Sequence, residues 1–337
     1  MRGLLLKRKF FFILAILLCM FVTGCLGDFA TDAPLAVTQT VTPTETVRPD
    51  TSAPVKETPS PETTFPPEET PQPTSNPNIN DDLLTVRFID VGQGDCILVR
   101  MGGETMLIDC GEKKFYGRVA DALAGLGITE IDHLVATHPH SDHIGGMEDI
   151  VKNYEINNIY MPKIEHDTRT YENLLDAIEA KGLMIDAPAP GTVIYVGGAA
   201  VTFLGPVNPL YKEINDNSIV LRIEYGNFSC LITGDIMAAA EKDILAQGLQ
   251  LQSTVIKAPH HGSSSSSSQS FVDAVAPEYA VILVGAGNSY NHPNEEVVQR
   301  YRQAGAEVLT TRDSGDISFI TDGTYLTVST EKSVGYD

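Results

Sequence analysis

The sequence predicts an α/β (α+β) domain, a mixed sheet covered by helices, preceded by a long segment that does not belong to it. Three observations carry this. Composition changes abruptly near residue 83, from a Pro, Thr and acidic text to one with regular apolar spacing. Beyond that point short β-branched runs first follow one another as a meander and then alternate with helical periodicity. One apolar run, Ile131–Thr137, leads directly into a cluster of His and Asp.

The first 82 of the 337 residues divide in two. Residues 1–25 hold Arg2, Lys7, Arg8 and Lys9, no acidic residue, and an apolar run from Phe10 to Val22. That run is too short for a comfortable membrane span and reads as an export signal. It ends in Val22-Thr23-Gly24-Cys25, which resembles the lipobox of bacterial lipoproteins. The resemblance implies cleavage before Cys25, lipidation of its thiol, and a place on the extracytoplasmic face of the cell membrane. Residues 26–82 are Pro/Thr-rich and lack apolar periodicity, so they cannot bury enough surface to offset their ordering entropy. They read as a disordered linker whose prolines favour extended stretches, with a reach on the order of 150 Å. Residues 83–337 form the folded domain.

Within it, Thr85–Val91, Asp95–Arg100 and Thr105–Asp109 read as strands, and Lys114–Leu126 as a helix with Val119, Leu123 and Leu126 on one face. Later strands are expected at 191–195, 200–204, 218–225, 228–233, 254–258, 279–284, 307–310, 316–321 and 324–329. Helices are expected near 145–153, 168–181, 236–247, 269–275 and 294–304. The Ser-rich stretch Ser263–Ser270 reads as a flexible rim. Besides Cys19 and Cys25 only Cys96, Cys110 and Cys230 occur, an odd count without structural-zinc spacing; a hairpin turning at Gly102-Gly103 could bring Cys96 opposite Cys110 for a disulfide, but buried free thiols are the expectation.

The charge of the whole chain is −21, and residues 84–337 account for −17. A surface so acidic repels long polyphosphates, because non-specific nucleic-acid binding is mainly Lys and Arg neutralising phosphates. The chain contains no Trp, so base-stacking platforms are not evident. A small phosphorylated group meeting bound cations is not excluded by either fact.

His138, His140, Asp142 and His143 put four potential ligands within six residues, between a strand and the Gly145-Gly146 pair. Borderline divalent cations take imidazole nitrogen and carboxylate oxygen. Two apart in extended chain, His138 and His140 point the same way and can serve one cation. Asp142 and His143 follow where the chain turns, and can serve a second.

This segment resembles the H-x-H-x-D-H signature of the metallo-β-lactamase superfamily. The likeness continues as an ordered series: Phe88-Ile89-Asp90-Val91-Gly92-Gln93-Gly94-Asp95, Asn215-Asp216-Asn217-Ser218, Leu231-Ile232-Thr233-Gly234-Asp235, Lys257-Ala258-Pro259-His260-His261-Gly262-Ser263 and Asn291-His292-Pro293. Together these are similar to the hydrolase domain of the ComEC/Rec2 competence proteins. The resemblance implies a four-layer αβ/βα sandwich of two mixed sheets flanked by helices. It also implies two divalent metal ions, zinc or manganese, with Asp235 bridging them. Of His260 and His261 one would be a ligand and the other face the substrate, and likeness to the phosphorylcholine esterase branch favours His261 as the ligand.

Asp142, His260, Ser263 and His292 are then the candidate catalytic and substrate-facing residues. Asp90, Gln93 and Asp95 would lie beside the metals, with Asp90 bonded to the non-ligating nitrogen of a liganding His. No His occurs between His166 and His260, and the loop carrying Asn215 and Asn217 stands where many superfamily members supply another His ligand. His166 itself is set aside as lying too early, before a predicted helix.

Two cations about 3.5–4 Å apart bridge a water, lower its pKa and clamp an ester oxygen, producing a metal-bridged hydroxide. The expected function is therefore a cell-surface, metal-dependent hydrolase, a phosphodiesterase acting on a phosphate ester of small-molecule, cell-wall or nucleic-acid origin. The alternatives are a nuclease acting in DNA uptake and a non-catalytic binding module with a relict metal site.

Overall fold

The computed structural model describes residues 82–208 and 210–332. The export signal, Cys25 and almost all of the linker read in the sequence lie outside the described residues.

Two sheets form the centre. The first is built from β1 (Leu84–Phe88), β2 (Ile97–Met101), β3 (Glu104–Ile108), β4 (Glu130–Val135), β5 (Glu155–Tyr160) and β6 (Ile185–Asp186), joined at its far side by the C-terminal hairpin β14 (Ile317–Thr321) and β15 (Leu326–Thr330). Its order is β15-β14-β1-β2-β3-β4-β5-β6. The second contains β7 (Val193–Val196), β8 (Ala199–Gly205), β9 (Val220–Tyr225), β10 (Phe228–Ile232), β11 (Val255–Lys257), β12 (Tyr279–Ile282) and β13 (Glu307–Thr310), in the order β13-β12-β11-β10-β9-β8-β7. In each sheet an antiparallel meander gives way to parallel strands: from β3 onward in the first, from β10 onward in the second. Such a change is what a meander followed by strand–helix alternation produces.

Alternation along the strands makes the layers. Ile97 and Val99 of β2 face Cys230 and Ile232 of β10 in a core between the sheets, whereas Leu98 and Leu231 point outward. The outer face of the first sheet is covered by α1 (Tyr116–Gly125), α3 (Met147–Asn153) and α4 (Arg169–Lys181), and a one-turn helix α2 (Ser141–Ile144) precedes α3. The outer face of the second is covered by α5 (Ala238–Ala246), α6 (Gln269–Val275) and α7 (Glu295–Gln303), followed by the short α8 (Thr311–Ser314). The result is the four-layer αβ/βα sandwich. Caps explain why α4 and α7 begin where they do: Thr168 Oγ1 accepts from Tyr171 N, and Asn294 Oδ1 from Glu296 N.

Every predicted strand and helix beyond Leu84 is present, its ends moved by a few residues. Two strands were not anticipated. β5 reads Glu-Ile-Asn-Asn-Ile-Tyr, and Asn is a poor strand former. Its two Asn side chains bond back to β4, Asn157 to Glu130 and Asp132 and Asn158 to the Asp132 carbonyl. β6 has two residues, too few for any periodicity. Cys96, Cys110 and Cys230 are buried free thiols, as expected.

The Ser-rich stretch is not a flexible rim. Ser266 and Ser267 are buried. The fully buried Glu241 of α5 accepts the backbone N–H groups of Ser267 and Ser268, Arg300 of α7 bonds the Ser267 carbonyl, and Tyr301 reaches Ser267 Oγ. Composition suggested mobility; a buried carboxylate from another helix removes it.

Candidate metal centre

The ends of the central strands of both sheets meet at one edge, and each delivers a functional group just past its last paired residue. Asp109 follows β3, Thr137 and His138 follow β4, Asp235 follows β10, and His260 and His261 follow β11. Two glycines permit the close approach. A side chain at Gly94 (φ 136°) would overlap the Asp142 carbonyl, which accepts the Asp95 N–H. At Gly234 (φ 51°) it would strike Ser218, whose Oγ accepts the Asp235 N–H. His260 and His261 both hold left-handed backbone, φ 51° and 52°, a conformation that costs non-glycine residues about 1–3 kcal/mol each. Strain of this kind persists where surrounding contacts over-determine it.

The ligand-type atoms converge on Asp235 Oδ2. His143 Nε2 and His261 Nε2 each lie 3.3 Å from it, and His138 Nε2 and His260 Nε2 lie 4.0 Å away. Asp142 Oδ2 is 3.4 Å from His261 Nε2 and 4.0 Å from His143 Nε2. His140 Nδ1 is 3.1 Å from His138 Nε2. One atom from each of His138, His143 and Asp235 falls within 4.8 Å of the others. The Nε2 atoms of His143 and His261 are buried without a hydrogen-bond partner, an arrangement that is costly unless a cation completes it. The residues therefore fit a divalent-cation centre, with His138 and His140 paired at 3.1 Å, Asp142 and His261 paired at 3.4 Å, and His143 common to two candidate ligand groups, one with His138 and Asp235 and one with Asp95 and His261.

Partners behind the rings direct these lone pairs inward. Asp109 Oδ2 accepts from His143 Nδ1 (2.7 Å) and from the Thr137 hydroxyl (2.6 Å), and Asp109 Oδ1 accepts the Thr137 N–H. The Thr137 oxygen in turn stands 3.2 Å from His138 Nδ1, and the Leu283 carbonyl accepts from His261 Nδ1 at 2.9 Å. Each Nδ1 is thus committed to a partner, which leaves Nε2 facing the centre.

Burial pushes His138 well below the ordinary imidazole range and lowers His140, so both are neutral. Burial acts the same way on His143 and His261, but Asp235 and neighbouring carboxylates outweigh it. His143 is raised well above its usual value and His261 stands at about 9. Without a cation this half of the centre holds protons instead.

Other expectations fare unevenly. Asp90 does not touch an imidazole: its Oδ1 accepts the Gly92 N–H, and its backbone N–H binds Asp316. Asp109 takes the role expected of it. The signal for Asp109 was Leu107-Ile108-Asp109-Cys110-Gly111, a strand running into Asp and then Gly. Asn217 is also a correction, because its side chain bonds Tyr211 N, Tyr211 O and Glu213 O and so shapes its own loop. Asn215 does face the site, 3.2 Å from His260 Nε2. His260 Nδ1 is bonded to Ser265 Oγ (3.1 Å) and not to Ser263, which bonds Ser265 instead. His292 stands over the pair, its ring centre 5.6 Å from that of His260. His166, set aside in the sequence reading, comes within 5.7 Å of the His140 ring. Gln93 Oε1 accepts the Gly285 N–H, and Asp95 is buried beside Lys257, a residue the sequence reading gave no role.

Beside Asp142 opens a cleft of about 730 Å³ lined by Asp90, Gln93, Lys114, Arg118, Asn288 and Tyr290, among others. Its cations are already paired, Lys114 with Glu112 and Arg118 with Asp316 and Glu331. Among the described residues no helix is long and apolar enough to cross a membrane.

A profile of the metallo-beta-lactamase superfamily matches residues 89–286. ComE operon protein 3 of Bacillus subtilis (strain 168) is 29% identical over 252 residues, 69% of this chain and 32% of that protein. Competence protein ComA of Neisseria gonorrhoeae is 33% identical over 232 residues, 68% of this chain and 31% of that protein. Ribonuclease Z of Mycolicibacterium gilvum (strain PYR-GCK) is 29% identical over 184 residues, 49% of this chain and 63% of that protein. The chain thus spans about a third of the length of the two competence relatives.

Proposed function

The chain belongs to the metallo-beta-lactamase superfamily, in its ComEC/Rec2-like competence branch, and from that premise we propose that it is a metal-dependent phosphodiesterase working at the cell surface. The observation that carries this reading is the convergence of His143 Nε2, His261 Nε2 and His138 Nε2 on one oxygen of Asp235, two of those nitrogens buried and unpartnered. His138, His140, Asp142, His143, Asp235 and His261 would hold two divalent ions, zinc or manganese. The chemistry that such ions supply when bound is polarisation of an ester oxygen and acidification of a coordinated water.

The protein's own groups supply orientation. Asp109, Thr137 and the Leu283 carbonyl keep the imidazole lone pairs aimed at the centre. His260, Asn215 and His292 form a largely neutral polar wall, and burial lowers both His260 and His292, the latter to about 4. Neutral donors suit phosphate oxygens whose charge is already met by cations. The preference for phosphodiesters also draws on the ribonuclease Z relative. A nucleic-acid substrate is favoured by that name and by the competence relatives. The acidic surface and the paired cations of the cleft favour a small or cell-wall phosphate ester. Anchorage through Cys25 and the linker is part of the proposal and rests on the sequence alone.

The test is elemental analysis of the chain purified without chelator, with turnover of bis-p-nitrophenyl phosphate measured with added manganese or zinc. One to two equivalents of metal and metal-dependent turnover are expected. Bound metal without turnover on any ester would point to a binding module, and absence of metal would overturn the reading.

A further inference from the structure

Lys257 is the last residue of β11, and its side chain is fully buried beneath the imidazole cluster. Its ammonium donates to the Gly234 carbonyl at 2.6 Å and to Asp235 Oδ1 at 3.1 Å, and forms an ion pair with Asp95 Oδ2 at 2.7 Å. Lysine is almost never fully buried unless paired, so this is a built cage. Each carboxylate gives Lys257 one oxygen and turns the other to an imidazole. Asp235 Oδ2 faces His143 and His261, and Asp95 Oδ1 lies 3.4 Å from His261 Nδ1.

We propose that Lys257 is a positioning residue for the cation centre: it takes Asp235 Oδ1 out of play, so that Asp235 presents the single atom Oδ2 to both halves of the site, while Asp95 neutralises the ammonium. This rests on the cation-centre reading above. The geometry singles out lysine for two reasons. A buried neutral side chain would leave Asp235 free to rotate and chelate one cation with both oxygens. An ammonium without Asp95 would place an uncompensated positive charge beside the cations the site is to bind. Asp95, Asp235 and Lys257 come from three separate elements, so the cage also ties the loop before β2 to the ends of β10 and β11.

The experiment is a titration of the chelator-stripped full chain with manganese alone, following affinity by calorimetry and the spin coupling of bound ions by electron paramagnetic resonance. The wild type is expected to bind two ions and give a coupled signal. Lys257→Met is expected to bind at least one ion about 10–100-fold more weakly, the usual effect of losing a group that orients a ligand, and to lose the coupled signal. Lys257→Gln, which keeps a donor but not the charge, is read in the same way if Lys257→Met does not fold. Wild-type affinity and coupling in a folded Lys257 variant would overturn the proposal, as would failure of both variants to fold, which would assign Lys257 to the fold alone. A wild type that binds no manganese or zinc would instead refute the cation centre itself.

Discussion

Replacing Asp109 by Asn changes one atom in a fully buried group, and its consequence can be followed bond by bond. The carboxylate accepts from His143 Nδ1 at 2.7 Å, the Thr137 hydroxyl at 2.6 Å and the Thr137 N–H at 2.8 Å. An amide has only one oxygen. If that oxygen keeps the Thr137 N–H, the new NH₂ faces His143 Nδ1 and the Thr137 hydroxyl. Nδ1 must then become an acceptor, which moves the proton to Nε2, 3.3 Å from Asp235 Oδ2. A protonated Nε2 cannot hold a cation. If the amide turns the other way, the Thr137 N–H is left buried and unpaired. Either outcome forfeits a charge-assisted bond of about 1.5–3 kcal/mol. Loss of such an orienting partner weakens metal affinity by about 10–100-fold, or about 1.4–2.7 kcal/mol. The assay is competition with a chromogenic chelator at neutral pH, with circular dichroism as the check on folding. A folded Asp109→Asn protein that holds metal within about twofold of the wild type would refute the tautomer argument.

Four further outcomes are expected. The double change His140→Ala/Asp142→Ala removes a ligand from each half of the centre and should abolish hydrolysis while leaving the circular dichroism spectrum unchanged; surviving activity would mean the site is elsewhere. Cation uptake at pH 7 should release protons from His143, raised well above its usual value, and from His261, which stands at about 9, so apparent affinity should rise by at least about tenfold per pH unit towards pH 9. Calorimetry in buffers of different ionisation enthalpy measures this, and buffer-independent heats would contradict it. In the metal-free protein the sign for stability is opposite. The folded value of about 9 lies above the ordinary 6.5, so the stabilisation from His261 is complete below about pH 6.5 and lost as pH rises through 9. Denaturant midpoints that rise over that window would contradict this. Glu241→Ala should remove two buried bonds to backbone N–H groups, destabilise the protein by about 2–4 kcal/mol and raise amide exchange at Ser267 and Ser268; unchanged exchange there would show that the loop is held by other contacts.

The sequence by itself determined which residues could be ligands and the layers that carry them. His138-Pro-His140-Ser-Asp142-His143 after an apolar strand is a local pattern, legible because ligand spacing and strand alternation both operate over a few residues. The same holds for the hydrophobic periods of β1 to β4 and β8 to β13, and for the capped helices α4 and α7. What only the tertiary structure decided is pairing across long separations. Asp109 supports His143 from 34 positions away, Lys257 reaches back to Asp95, and Glu241 fixes a serine loop that composition alone reads as mobile. The motifs pointed to Asp90 as the partner of a liganding His and to Ser263 as a site residue, whereas Asp109 holds His143 and Ser265 bonds His260, for one reason. Motif proximity says which residues are near a site, whereas a hydrogen bond depends on where a side chain points, and that is set by the packing of two sheets against one another.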